Sequence, residues 1–359
     1  MTPSSEPLSA GFSRRHFLAL SAGAMAATTF AGRSVASSAG PIRVGLIGGD
    51  SDGISLLARA LRADSGFRLV AIAEELDTRA QRALDIFTHQ RRRGGAHPQV
   101  AVDPARLYAG DDAAARLCAD RNVDAVFVAG IPAYRPRQVA AAIAGGKHVF
   151  MLGPGAVDAE GCRALLQAAN AAEVAGLTIG VDLAERGRPL AVPTTIDARW
   201  QRTPWRRSVP GGPAVQNWYF DEALSGGVLL TENFGTIDRV NQLMGTPPAF
   251  ASGIAGRDGE FGDHAIEYRY PNGGVFRLRS RLGKGLATEF DARFADGSPL
   301  PGEGADDANP VGTFLNGIRR GQMGSWRPTL DRLVATTQTA ILGREASRLG
   351  RSMQWAEIG

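Results

Sequence analysis

The chain has 359 residues, of which 44% are hydrophobic and 21% charged, a balance that excludes a disordered protein and suffices for two ordinary domains. The net charge of +4 comes from scattered arginine, with Arg91-Arg92-Arg93 as the one dense run, so nucleic-acid binding gets no support. Lysine is confined to Lys147 and Lys284. His16, His89, His97, His148 and His264 form no metal-ligand spacing with Cys118 and Cys162, so no metal site is expected. Both cysteines fall in helix-like stretches and read as buried thiols, although an oxidising compartment would also allow a disulfide.

Residues 1–39 read as an export signal. Ser13-Arg14-Arg15-His16-Phe17-Leu18 supplies the charged start, and an apolar, small-residue run follows from Phe17 to about Ala31. Small residues at Val35–Ala39 offer a cleavage site. The adjacent arginines resemble a twin-arginine leader, which implies a periplasmic or otherwise exported protein. The run is too short for a stable membrane span.

From Pro41 the pattern changes. Ile42–Ile47 is strand-like, Gly48-Gly49-Asp50-Ser51-Asp52-Gly53 is a tight turn, and Ile54–Arg62 has helical apolar spacing. Strand, glycine turn and helix make the context of a dinucleotide fingerprint. A second strand, Leu69–Ala73, ends in Glu74-Glu75, where a carboxylate can accept from a ribose. Further alternation follows: Ala125–Ala129 and Gln138–Ile143, His148–Leu152 and Ala159–Ala175, then Leu177–Leu183. This predicts an α/β Rossmann domain over 41–186 with a doubly wound parallel sheet.

The fingerprint is imperfect. Gly48 and Gly53 fit its first and third glycines, while Asp50 replaces the second. A carboxylate there obstructs close backbone approach and repels a pyrophosphate. Asp50 therefore predicts weak or absent dinucleotide binding, and tighter binding on Asp50→Gly.

After Arg186 the alternation stops, which predicts an α+β domain over 187–359 with a mostly antiparallel open sheet. Ile196–Gln201 is strand-like, Asn217-Trp218-Tyr219-Phe220-Asp221 leads to Gly226-Gly227, and Val228–Met244 reads as one long helix. His264–Tyr270 and Gly274–Leu282 form a hairpin around Pro271-Asn272-Gly273. Helices near Gly312–Arg320 and Leu330–Leu349 close the chain. The strands Ala265–Tyr270 and Val275–Arg281 leave one sheet face without a helix of this chain, so homo-oligomer formation through that sheet is expected.

The order of these pieces resembles the Gfo/Idh/MocA family of glucose–fructose oxidoreductase, inositol dehydrogenase and relatives, and more narrowly its exported twin-arginine members. The resemblance rests on Arg43-Val44-Gly45-Leu46-Ile47-Gly48, Val123-Asp124-Ala125-Val126, Ala144-Gly145-Gly146-Lys147-His148-Val149 and Gly226-Gly227-Val228-Leu229-Leu230 through Ile237-Asp238. Asn217-Trp218-Tyr219-Phe220, Asp263-His264-Ala265-Ile266-Glu267-Tyr268 and Leu342-Gly343-Arg344-Glu345 carry the narrower likeness. It implies an NAD or NADP cofactor, a sugar, polyol or glycoside substrate, and pairing through the second sheet.

The resemblance breaks where the family keeps its chemistry. The loop that normally reads Glu-Lys-Pro is Leu152-Gly153-Pro154, so the lysine position is Gly153. The Asp…His pair of the following helix falls on Thr231 and Gly235, and the Pro-Asn…His turn reads Ile131-Pro132-Ala133-Tyr134-Arg135. The remaining catalytic candidates are Glu232, His264 and Asp238; Asp238 also suits a helix brace and His264 the sheet. Cofactor-binding candidates are Gly48, Gly49, Asp50, Ser51, Gly53, Glu74, Pro132 and Pro154. Substrate candidates are Arg186, Tyr134, Asn217 and Trp218, with Tyr134 and Trp218 offering rings to a sugar. Three readings stay open: an NAD(P)-dependent oxidoreductase, a carbohydrate-binding relative that has lost redox chemistry and its cofactor, and an assembly scaffold.

Overall fold

Short apolar strands alternating with helices build the first sheet in a computed structural model that describes residues 40–89, 97–184, 191–203, 214–256, 263–301, 309–321 and 326–358. The leader, Arg91–Arg93 and Arg186 lie outside these residues. The elements are β1 (Ile42–Ile47), α1 (Ser51–Ala63), β2 (Phe67–Glu74), α2 (Asp77–His89), β3 (Leu107–Ala109), α3 (Ala113–Ala119), β4 (Ala125–Val128), α4 (Arg135–Ala144), β5 (His148–Met151), α5 (Ala159–Ala175) and β6 (Ile179–Val181). All strands pair in parallel, in the order β3-β2-β1-β4-β5-β6. The order reverses between β1 and β4, which opens a crevice above their carboxyl ends. Strands β4 and β5 are buried throughout, as continuous apolar runs require when helices cover both faces. Phe127 ties the middle of this core together, with ring centroids 6.1 Å from Phe67 and 5.9 Å from Phe150.

The second sheet follows as β7 (Thr195–Arg202), α6 (Glu222–Ser225), α7 (Val228–Thr231), α8 (Phe234–Met244), β8 (Phe250–Ala255), β9 (His264–Arg269), β10 (Val275–Leu282), β11 (Leu286–Arg293), α9 (Pro310–Arg320), α10 (Arg327–Leu349) and β12 (Met353–Gln354). Its order is β11-β7-β10-β9-β8-β12, antiparallel except for the β7–β10 pair. Phe276, Leu278 and Ser280 of β10 point inward, and Arg277, Arg279 and Arg281 point out. On the inner side Tyr268 stacks on Phe276 at 5.4 Å, and α10 packs along β8 and β9. The outer face carries a charged ladder in which Arg277 Nε meets Glu267 Oε2 at 3.1 Å and Arg277 Nη1 meets Asp197 Oδ1 at 3.7 Å.

Two expectations from sequence need correction. The helix expected over Val228–Met244 breaks at Glu232 and Asn233, because Val228 O accepts from both Glu232 N at 2.9 Å and Asn233 N at 3.2 Å. The helix expected near Gly312–Arg320 does not serve the second sheet. Val311, Phe314, Leu315 and Ile318 enter the first domain's core, Phe314 lies 5.4 Å from Phe150, and Arg319 pairs with Asp64.

Candidate cofactor and substrate cleft

The turn between β1 and α1 is shaped by two close approaches. Gly48 has φ +96°, and a Cβ there would sit 2.3 Å from Gly130 N. A Cβ on Gly53 would lie 1.8 Å from Gly48 O. Both positions therefore demand glycine. The start of α1 points its N–H groups at the crevice, the arrangement that suits a phosphate.

Two of the donors around this turn are already engaged by carboxylates of the chain. Asp50 is the N-cap of α1, and its Oδ1 accepts from Asp52 N at 3.1 Å. Gly49 N donates to Glu74 Oε1 at 2.6 Å. Glu74, expected to face a ribose, is 3% exposed and lines the cavity over the ends of β1 and β2. Burial, reinforced by the neighbouring charge of Glu75, pushes its carboxyl up to about 8, against the pull of Arg79.

A segment ahead of the second domain's first helices closes over this turn. Trp218 Nε1 donates to Asp50 Oδ2 at 3.2 Å. Arg79 Nη2 donates to Val215 O at 2.8 Å and to Gln216 O at 3.1 Å. Trp218 and Tyr219 pack with Ile131 in one buried cluster, joined by Tyr134, Val215 and Phe220. Trp218 is 3% exposed, so its ring is not offered to a sugar, contrary to the expectation from sequence. Tyr134 is also engaged, with the Arg137 guanidinium 3.9 Å over its ring. Asn217 and Pro132 flank the cluster, Asn217 partly exposed and Pro132 buried.

Arg135 anchors the floor. It is fully buried, and it donates from Nε to Gly130 O at 3.0 Å and from Nη1 to Pro154 O at 2.7 Å. Desolvation lowers its pKa to about 10, while Asp52 and Asp50 oppose the shift. Pro154 thus contributes its carbonyl to this brace. Beside it, a Cβ on Gly153 would meet Phe234 Cε1 at 2.2 Å, so the Phe234 ring fills the space that a side chain at 153 needs.

The catalytic candidates divide between two places. Glu232, in the break between α7 and α8, accepts from Tyr219 Oη at 2.5 Å and lies 3.8 Å from Arg202 Nη1. Tyr219 thereby links it to the Trp218 cluster. Asp238 sits elsewhere, against α10. Its carboxylate accepts from Gln242 Nε2 at 2.8 Å and Thr336 Oγ1 at 3.2 Å, with Arg332 Nε at 3.3 Å. His264 is buried on β9 with Nδ1 3.1 Å from Ser347 Oγ, and burial lowers its pKa. Asp238 and His264 therefore serve the packing of α10. Ser51 opens α1 beside Asp50. Sequence reasoning missed Tyr219, Arg79, Arg135 and Phe234; their roles come from partners distant in sequence.

A cavity of about 270 Å³ remains where adenosine would lie, between α3 and α4 over the ends of β1 and β2. Ile47, Ala73, Glu74, Glu75, Arg137 and Gln138 are among its lining residues. A shallower cavity of about 300 Å³ lies on the second sheet between Arg199, Arg279 and Arg281. Among the described residues no His/Cys/Asp/Glu group is placed to hold a metal, and no helix is long and apolar enough to cross a membrane. Cys118 and Cys162 are free and buried, which pushes each thiol up to about 12.

The family model for oxidoreductases with an NAD-binding Rossmann fold, GFO_IDH_MocA, matches residues 42–181. Residues 42–181 therefore match the Rossmann domain of this oxidoreductase family. Solved structures of similar fold span both domains. Apo scyllo-inositol dehydrogenase from Lactobacillus casei is 15% identical with a TM-score of 0.65, covering 88% of this chain and 99% of its own. Myo-inositol 2-dehydrogenase from Lactobacillus plantarum is 14% identical with a TM-score of 0.65, over 88% and 99% of the two chains. GenD2 from gentamicin A biosynthesis, solved in complex with NAD, is 14% identical with a TM-score of 0.61, over 88% and 96%. No curated protein sequence matches the chain. This cleft is an imperfect fit for a nicotinamide dinucleotide. The glycine geometry suits it, but the Gly49 and Asp52 N–H groups are held by carboxylates.

Proposed function

We propose that this protein is an exported, redox-silent member of the oxidoreductase family that binds a small molecule of the sugar or polyol class. One observation carries the reading. Two N–H groups of the phosphate turn, those of Gly49 and Asp52, are satisfied by Glu74 and Asp50, and Trp218 is hydrogen-bonded to Asp50. A pyrophosphate entering here would have to displace two carboxyl groups from their donors and face the charge of Asp50 at close range. Phe234 beside Gly153 adds that no cationic side chain extends from the lysine position. The inositol dehydrogenases of similar fold support the ligand class, and the arginine pair of the leader supports export.

A second reading, an NAD(P)-dependent oxidoreductase, has its own support in the Tyr219–Glu232 hydrogen bond of 2.5 Å, a pairing suited to proton transfer. Calorimetric titration with NAD, NADP and their reduced forms, run beside a nicotinamide-reduction assay over a panel of inositols and sugars, separates the two. The redox-silent reading expects no dinucleotide binding below the high-micromolar range and no reduction. Turnover of any polyol with either cofactor overturns it.

A further inference from the structure

The charges on the outer face of the second sheet are balanced at Arg277 and left unbalanced at Arg279. Arg277, Arg279 and Arg281 all point out from β10. Arg277 stands in register with Asp197 of β7 and Glu267 of β9, and it pairs with both, at 3.7 Å and 3.1 Å. Arg281 pairs with Asp263 at 3.1 Å. Arg279 stands between Arg199 of β7 and Ala265 of β9, a like charge on one side and a methyl group on the other. No carboxylate pairs with it among the described residues. Two guanidinium groups facing each other on strands about 4.8 Å apart repel.

The cavity of about 300 Å³ opens at this row, a volume at the small end of ligand pockets. Arg199, Arg279 and Arg281 line it, and Ile254 and Ala265, in register with each other, give it an apolar side. Asp263 is the one carboxylate among the lining residues, and Arg281 already holds it. Three guanidinium groups against one carboxylate in a concave space make an anion site by charge and by shape.

We propose that this cavity binds a small organic dianion, a dicarboxylate or a phosphate monoester, with its oxyanion group between Arg279 and Arg199 and its carbon body against Ile254 and Ala265. An oxyanion held by two guanidinium groups gains charge-assisted hydrogen bonds and cancels the repulsion between them. The site lies on the second sheet, away from the phosphate turn, and does not depend on the redox-silent reading.

Calorimetry on the full mature chain at fixed ionic strength tests this with succinate, glycerol 3-phosphate and acetate as probes. Sedimentation in the same buffers keeps each comparison within one oligomeric state. At least one dianion should bind roughly tenfold or more tightly than acetate, and the tighter of the two names the oxyanion group. Arg279→Gln should weaken that dianion roughly tenfold or more. Ala265→Glu sets a carboxylate across from Arg279, as Glu267 stands across from Arg277, and should weaken it by a similar factor. Both variants should stay folded, with unfolding midpoints at or above wild type in the absence of ligand, because each relieves the uncompensated charge. Acetate binding as tight as both dianions overturns the site, since charge screening alone then explains the effect. A dianion affinity unchanged in a folded Arg279→Gln or Ala265→Glu also overturns it. Absence of dianion binding at millimolar concentration overturns the proposal and leaves the redox-silent reading standing.

Discussion

The indole N–H of Trp218 donates to Asp50 Oδ2 at 3.2 Å, across 168 positions of sequence. The same carboxylate caps α1 through Asp52 N. Asp50 thus holds the helix start and the overlying segment together at the spot where a dinucleotide phosphate would bind. A like-charge contact of this kind is worth about 1–4 kcal/mol, or roughly tenfold to several hundredfold in affinity. Asp50→Gly should therefore tighten NAD binding by that factor in calorimetry. Trp218→Ala, which leaves the carboxylate in place, should not. Submicromolar NAD binding by the wild type would show that Asp50 does not oppose the phosphates.

Glu74 makes stability depend on pH. Its folded pKa is raised from 4.5 to about 8, so the folded state holds a proton that the unfolded state releases. Its stabilising contribution is complete below about pH 4.5 and is lost as pH rises through about 8. Glu74→Gln keeps an acceptor for Gly49 N and has no proton to lose. Relative to wild type it should gain about 4 kcal/mol of stability between pH 5 and pH 9. Denaturant curves at both pH values measure this, and an equal difference at the two would rule it out.

Restoring a lysine should not restore chemistry. A Cβ at position 153 meets Phe234 Cε1 at 2.2 Å, so Gly153→Lys forces the Phe234 ring out of a packed site. Overpacking of this kind costs about 1–3 kcal/mol. Gly153→Lys should lower the unfolding midpoint and give no polyol dehydrogenase activity; Gly153→Lys with Phe234→Ala should relieve the clash and recover part of the stability. A stable, active single variant would contradict this account.

Export is tested at the leader. Arg14→Lys with Arg15→Lys should leave the precursor in the cytoplasm, because the twin-arginine route reads the guanidinium pair. Fractionation of cells expressing both forms decides it, and normal periplasmic delivery of the double variant would refute the assignment.

The fold was legible where one physical signal dominated. Buried apolar runs marked β4 and β5, and the Pro271-Asn272-Gly273 turn marked the β9–β10 hairpin. The strand β11 carried no such signal, since only Ala292 of its residues is buried and its alternation is blurred. At the cleft, the sequence revealed that Asp50 replaces a glycine and that Gly153 replaces a lysine. It did not reveal what takes their place. Trp218, Tyr219 and Phe234 look like ordinary core aromatics, and their contacts with Asp50, Glu232 and Gly153 depend on how the second domain's leading segment returns to the first. For Glu74, the sequence placed the carboxyl at the end of β2 but did not reveal that it also accepts from Gly49 N.

The outer face of the second sheet supports the last prediction. Ile254 is 68% exposed, in register with Ala265 and Arg279 beside the Arg277–Glu267–Asp197 ladder. Exposed ion pairs contribute little to a lone chain, typically 0–1 kcal/mol, roughly. Opposed across a two-fold axis, the same mixed ladder is complementary to itself and loses its solvent screening. The chain should therefore sediment as a dimer at micromolar concentration. Ile254→Asp places an unpaired carboxylate in that contact, so it should weaken the dimer at least tenfold. The monomer's unfolding free energy should change by less than about 0.5 kcal/mol, as for other exposed positions. A wild type that stays monomeric throughout, or an Ile254→Asp dimer as tight as wild type, would show that this face is not the contact.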